Sequence, residues 1–130
     1  MVKLDIMSDP ICPWCYIGKA NLDRALAQRP DHPFLITWHP FQLNPDMPKS
    51  GMDRRTYLET KFGGKDGAVR AYAPVVEHAE AAGLTINLDA IKKTPNTIDA
   101  HRLIHWAGIE QKQTPVVDAL FQAYFVDGRD

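Results

Sequence analysis

The fold is decided at residues 9–18, which read DPICPWCYIG and hold both cysteines of the chain, Cys12 and Cys15. Residues 2–7, VKLDIM, alternate apolar and polar side chains, which predicts a strand with one buried face. Residues 16–28 carry apolar side chains at helical spacing, which predicts a helix. A Cys-x-x-Cys pair at such a strand-to-helix junction is typical of a redox dithiol.

Length and composition restrict the function further. The 130 residues suffice for one domain with a core, and 45% apolar and 24% charged residues are ordinary for a globular protein. A net charge of −1 favours neither nucleic acid nor an anionic membrane as a partner. No run of about eighteen apolar residues exists, so no membrane span is expected. The N-terminus does not resemble a secretory leader, so we expect the cytoplasm, where a lone cysteine pair is more often catalytic or metal-binding than structural.

A second strand and a helical half follow the first helix. Residues 34–39, FLITWH, are aromatic and β-branched, and a βαβ unit with two parallel strands is therefore expected. Residues 41–51 are rich in proline and glycine and predict a loop. A helix over residues 53–62 and a longer helical segment follow, the latter kinked or divided at Pro74.

Two further helices are predicted near the C-terminus. Asn96 is placed to cap a helix that ends near Gly108. The last helix begins at Thr114-Pro115, since proline is favoured in a first turn. Trp38 and Trp106 are both expected in the core.

The cysteine pair has a definite predicted chemistry. Cys12 falls at the helix N-terminus, where free N–H groups and the helix dipole stabilise a thiolate, so it is the expected attacking group. Cys15 lies one turn later and is the expected resolving thiol, more buried than Cys12. Pro13 keeps the first turn rigid. Trp14 covers the pair or offers an apolar docking surface.

The sequence also allows other roles for the two cysteines and the nearby histidines. Cys12 and Cys15 could be half of a zinc site completed by His101 and His105, although the long gap in sequence weighs against it. They could also be two inert buried thiols. His39 lies at a strand end near the reactive turn and either tunes a thiolate or makes an ordinary hydrogen bond.

Two further groups near the turn have simpler explanations. His101 is most simply a core histidine. Asp5 is an exposed charge or a proton acceptor for the dithiol, and Asp9-Pro10 is most simply turn chemistry.

Residues 8–18 resemble the active-site segment of the DsbA-like thioredoxin superfamily, nearest to the FrnE-like branch of cytoplasmic dithiol oxidoreductases. The similarity continues through residues 40–45, 96–103 and 120–125. It implies an α/β fold with a thioredoxin-like βαβ start over residues 1–52 and an inserted, mostly α-helical domain over residues 53–130. The C-terminal strands and last helix of the family fold are absent, including its cis-proline strand, so the chain resembles roughly the first three-fifths of a family domain.

The resemblance also implies a function. It implies a thiol–disulfide oxidoreductase that exchanges electrons through the Cys-Pro-Trp-Cys dithiol, with Cys12 as nucleophile and Cys15 as resolving thiol. Asn96, Thr97 and His101 match a family block near the reactive face and are candidate substrate-site residues.

No cofactor or metal is expected beyond the dithiol. The expected partners are protein or small-molecule thiols and disulfides, glutathione included. Uncovered helix faces and a free sheet edge favour a homodimer or a swapped assembly.

Two other functions are weighed against this one. A glutathione-dependent isomerase or transferase of the same superfamily usually carries serine at the position of Cys12 and lacks the second cysteine, which argues against it. A redox-sensing or metal-binding module without catalysis is the third possibility.

Overall fold

The computed structural model describes residues 1–130 as two small sheets and five α-helices. The elements follow in the order β1 (Val2–Ser8), α1 (Pro13–Gln28), β2 (Phe34–Pro40), β3 (Met52–Asp53), α2 (Arg54–Phe62), α3 (Lys65–Ala81), β4 (Lys93–Thr94), α4 (Ile98–Ile109) and α5 (Gln113–Phe121). A 3-10 turn at Leu88–Ala90 precedes β4, and a π-helical turn at Gln122–Val126 extends α5. None of the helices is both long enough and apolar enough to cross a membrane.

The predicted βαβ unit is confirmed. β1 and β2 form a two-stranded parallel sheet in which Val2 lies opposite Phe34 and Ser8 lies opposite Pro40. The chain leaves β1 through a tight turn in which the Cys12 N–H donates to the Asp9 carbonyl oxygen at 2.9 Å. α1 then begins at Pro13, where proline is favoured because the first helical N–H has no partner within the helix.

α2 and α3 follow their sequence signals with one exception. Asp53 caps α2 by accepting a hydrogen bond from the Thr56 N–H at 3.0 Å, and Gly63 ends that helix with a φ of +76°. α3 runs unbroken through Pro74, so the predicted division into two helices is wrong. Pro74 lies on the exposed side of α3, where water can satisfy the carbonyl group that loses its helical partner.

The C-terminal helices begin close to their predicted starts. The N-cap residue of α4 is Thr97, so Asn96 lies one residue before the cap. The Asn96 side-chain oxygen nevertheless accepts a hydrogen bond from the Ile98 N–H, the first of the helix, at 2.9 Å. α5 begins at Gln113, just before the predicted start at Thr114-Pro115. The antiparallel pairing of β3 with β4 was not predicted, because two-residue strands leave no period in a sequence.

One apolar core joins the two halves of the chain. The Tyr16 ring of α1 stacks on the Phe125 ring with centroids 5.0 Å apart. Trp38 lies in this core as predicted. Trp106 is 60% exposed and contradicts its prediction, because it lies two positions beyond the buried Ile104 and hence on the opposite side of α4. The proposed division at residues 52 and 53 stays a prediction, although the segments on either side share this core.

A second, smaller cluster positions the helical half over the cysteine turn. Ile17 of α1 packs with Val75 and Ala79 of α3, and all three side chains are buried. This contact sets α3 beside the N-terminal end of α1. The start of α1 is therefore covered on one side by helices that come much later in the sequence.

Gly67, in the first turn of α3, lies too close to the end of α2 for any side chain. A Cβ at this position would lie 1.8 Å from the Phe62 carbonyl oxygen. We expect Gly67→Ala to lower the free energy of unfolding by more than about 1 kcal/mol. Gly18→Ala is the matched control, because a Cβ there meets no atom within 4 Å. It should raise stability by about 0.5–1 kcal/mol, since alanine favours a helix. Urea unfolding of both variants checks this, and equal stabilities would contradict it.

Candidate active site

A buried carboxylate holds the turn that carries the cysteines. Asp9 is 0% exposed, and its Oδ2 accepts a hydrogen bond from the Leu43 N–H at 2.8 Å. Its Oδ1 lies 3.4 Å from Nε2 of His101 on α4. Asp9 therefore links the end of β1 to the loop after β2 by a hydrogen bond, and it packs against His101 of α4 without a hydrogen bond on Oδ1.

Cys12 occupies the N-cap of α1, as the sequence predicts. Its Sγ accepts a hydrogen bond from the Cys15 N–H at 3.3 Å, which satisfies one of the free donors in the first turn. Both cysteines are half-buried, and the greater burial expected for Cys15 stays a prediction.

The two thiols ionise as a pair. Hydrogen bonding from Cys12 is the largest cause that lowers the pKa of Cys15, to about 6, and the same interaction raises the pKa of Cys12. The Asp9 N–H and the Ser8 hydroxyl also donate toward Cys15 and lower its pKa, while burial and the Asp9 charge raise it. Because the remaining thiol stabilises the first thiolate, the pair loses one proton readily and the second with difficulty. The lowered pKa belongs to the pair as a whole, and the assignment of the attacking thiolate to Cys12 stays a prediction.

Cys12 opens onto a cavity of about 350 Å³ between the start of α1 and the helices α2 and α3. The walls are mostly apolar and include Pro13, Phe62 and Val75. Trp14 lies at this cavity, is 47% exposed, and meets the His78 ring edge to face at 5.3 Å. Pro13 and Trp14 thus stand where the sequence expected supporting residues.

His39 is not part of this site. Its Nε2 lies 2.9 Å from Oδ1 of Asp5 on the exposed side of the sheet. This hydrogen bond is the largest cause that lowers the pKa of Asp5. The simpler reading of both residues therefore holds, and Asp5 is an exposed charge paired with a strand-end histidine.

The other candidates lie behind the turn. Asn96 and Thr97 line a separate cavity of about 610 Å³ that contains neither cysteine. Asn96 donates to the Met47 carbonyl oxygen at 2.7 Å. His101 is buried, and its Nε2 lies 3.1 Å from the Phe41 carbonyl oxygen. Because it also contacts Asp9, His101 packs against the turn, but it does not line the cavity that contains Cys12.

Asp9 is the residue that the sequence reasoning missed. Its pairing with Pro10 is indistinguishable from ordinary turn chemistry, and only the fold shows that it is buried. The zinc reading gains nothing from the structure, which contains no group of three or more histidine, cysteine or acidic side chains arranged to hold a metal ion. His105 is exposed, on another part of α4.

A cysteine pair at the N-terminus of the helix that joins two parallel strands defines a thioredoxin-like dithiol domain. The chain belongs to the DSBA-like thioredoxin domain family, whose model matches residues 3–130. It is 25% identical over 129 residues to the uncharacterized protein YwbO of Bacillus subtilis (strain 168). The crystal structure of a probable DsbA oxidoreductase from Streptomyces coelicolor superposes with a TM-score of 0.85 and 30% identity. The match to YwbO covers 99% of the present chain and 59% of YwbO. The match to the Streptomyces structure covers 100% of the present chain and 56% of that structure.

A pH titration of the reduced protein tests the coupled pair. We expect one thiol proton to be released with a midpoint near pH 6 and the second to be held well above the ordinary range of a thiol. Thiolate absorbance in the ultraviolet measures both steps. Two thiols that titrate together near about pH 8.5 would contradict the coupling.

Two substitutions at Cys12 provide matched controls. Cys12→Ala removes the hydrogen-bond donor and should return the pKa of Cys15 toward the ordinary value of a thiol. Cys12→Ser keeps a hydroxyl donor, so it should retain much of the lowered pKa.

Proposed function

We propose that this chain carries the dithiol part of a thiol–disulfide oxidoreductase. The observation that carries the proposal is the position of Cys12 and Cys15 at a helix N-terminus, where the Cys15 N–H donates to Cys12 Sγ at 3.3 Å. Hydrogen bonding within the pair lowers the pKa of its first thiol to about 6. Thiol–disulfide exchange requires a thiolate and a neighbouring thiol, and this pair supplies both at neutral pH. Membership of the DSBA-like family supports the same chemistry.

The exchange proceeds in two balanced steps. Proton transfer within the pair places the thiolate on Cys12, the sulfur that lines the cavity, and it attacks one sulfur of a substrate disulfide. The Cys12–substrate bond forms, the substrate disulfide breaks, and the first substrate thiolate leaves with the proton that Cys15 gives up. The Cys15 thiolate then attacks the Cys12 sulfur, forms the Cys12–Cys15 bond, and releases the second substrate thiolate, which takes a proton from water. The protein ends as a disulfide and the substrate is reduced by two electrons; the reverse sequence oxidises a dithiol.

Several properties of the whole protein are part of this proposal. We place it in the cytoplasm, in the FrnE-like branch, with protein or small-molecule thiols and disulfides as partners and no external cofactor, nucleic acid or membrane. A homodimer or swapped assembly is supported by the exposed apolar face of α4, which includes Leu103, Trp106 and Ile109. Neither the isomerase alternative nor the non-catalytic module has a structural observation in its favour.

Insulin reduction tests the proposed function. In the presence of dithiothreitol the chain should accelerate insulin precipitation, and Cys12→Ser should bring the rate back to the uncatalysed background, because serine is not a nucleophile toward disulfides. Cys15→Ser is the matched control: mixed with insulin in the absence of dithiothreitol, it should keep the first step and accumulate a mixed disulfide on Cys12, visible by mass spectrometry. Full activity in Cys12→Ser would remove Cys12 from the mechanism.

A further inference from the structure

Arg54 is a buried cation without a counter-charge. It is the first residue of α2 and only 8% exposed. No carboxylate of the chain lies within 4.0 Å of its guanidinium group. One of its nitrogens donates to the Tyr124 hydroxyl at 3.3 Å, and its guanidinium carbon lies 5.2 Å from the Tyr72 ring centroid.

These contacts leave most of the hydrogen-bonding capacity of Arg54 unused. A guanidinium group carries five N–H donors and keeps its charge at every physiological pH. The Tyr124 hydroxyl accepts one hydrogen bond from the Arg54 side chain, and the Tyr72 ring makes a cation–π contact with it. Buried charges in proteins are normally paired, since an unpaired one is costly. An arginine that has few partners in the chain and lies at a cavity wall is therefore placed to bind an anion that is not part of the chain.

Thr94 gives a second, independent observation at the same place. Its side chain is 1% exposed, and its Oγ1 has no hydrogen-bond partner. It lies near the Tyr124 hydroxyl, whose pKa burial raises and the Arg54 charge and the Thr94 hydroxyl lower, but the geometry falls short of a hydrogen bond. A buried hydroxyl without a partner is uncommon, and a ligand oxygen would satisfy it.

Arg54 and Thr94 both line the cavity that contains Cys12. Its volume of about 350 Å³ lies in the range that holds small molecules, and its walls are apolar apart from a few polar groups. Arginine matches a carboxylate in a bidentate geometry. A sulfur nucleophile and a carboxylate-binding group therefore share one small apolar cavity.

We propose that this cavity binds a low-molecular-weight thiol or disulfide that carries a carboxylate. The carboxylate pairs with Arg54 and accepts a hydrogen bond from Thr94, while the apolar body lies against Pro13, Phe62 and Val75. The sulfur of the ligand then lies on the side of the cavity formed by Cys12. The carboxylate site stands on Arg54 and Thr94 alone, whereas the assignment of a sulfur ligand rests on the proposed function.

A pair of probes that differ only in charge tests the carboxylate site. Naphthoate and naphthamide have the same apolar body, and neither contains sulfur, so this binding does not depend on redox activity. Titration calorimetry with the reduced protein should show that naphthoate binds about tenfold or more tightly than naphthamide, as expected for a charge-assisted hydrogen bond.

Three variants locate the effect. Arg54→Met should reduce the naphthoate preference to about onefold, while Arg54→Lys should keep part of it because the charge remains. Arg55→Gln is the matched control, since Arg55 is the exposed neighbour, and it should keep the full preference. Equal binding of the two probes by the wild-type protein, or an unchanged preference in Arg54→Met, would overturn the carboxylate site.

A kinetic comparison tests the sulfur ligand separately. Dithiobis(nitrobenzoate) is an aromatic disulfide with carboxylates, and dithiodipyridine is an aromatic disulfide without them. The rate ratio of the two reagents with the reduced protein should fall about tenfold in Arg54→Met and stay unchanged in Arg55→Gln. An unchanged ratio in Arg54→Met would overturn the sulfur ligand while leaving the naphthoate result standing. Loss of insulin reduction alone would contradict only the proposed function.

Discussion

The structure depends on the buried carboxylate of Asp9. One of its oxygens accepts the Leu43 N–H and the other faces His101, while its backbone carbonyl accepts the Cys12 N–H. Three segments that are far apart in sequence meet at this residue. Because the first turn of α1 starts directly after it, the position of both sulfurs is set by these contacts. Packing and hydrogen bonds thus hold the cysteine pair in place.

The second constraint is the packing of later helices around the start of α1. Val75 and Ala79 of α3 pack on Ile17, and the resulting gap beside Cys12 becomes the apolar cavity. Cys12 is open to a substrate through this cavity, whereas Cys15 lines a separate cavity beside β1. Residues of α2, α3 and β4 line the cavity at Cys12, far in sequence from the turn that carries the thiols.

The sequence predicts those strands and helices in which apolar side chains recur at regular spacing. The alternation in residues 2–7 and the helical spacing after Tyr16 predicted β1 and α1 correctly, and the cysteine spacing located the reactive turn. What the sequence could not show depends on long-range burial. Asp9 and Arg54 look like ordinary surface charges until the fold encloses them, and Trp106 looks like a core residue until α4 is seen to present its other face to β2. The ionisation of the pair likewise depends on donors from Ser8 and Asp9 that no spacing rule identifies.

Hydrogen bonding within the reduced pair stabilises it as a shared thiolate. Folding lowers the pKa of Cys15 to about 6. Between that pH and the ordinary pKa of a thiol the unfolded chain binds more protons than the folded chain, so the stability of the reduced protein should rise with pH over this range. The disulfide form has no thiol to titrate and provides the reference. The decisive measurement is the free energy of unfolding of both forms in urea at about pH 5 and about pH 8. The reduced form should gain stability relative to the disulfide form at the higher pH, whereas parallel changes in the two forms would show that the thiolate is not stabilised by folding.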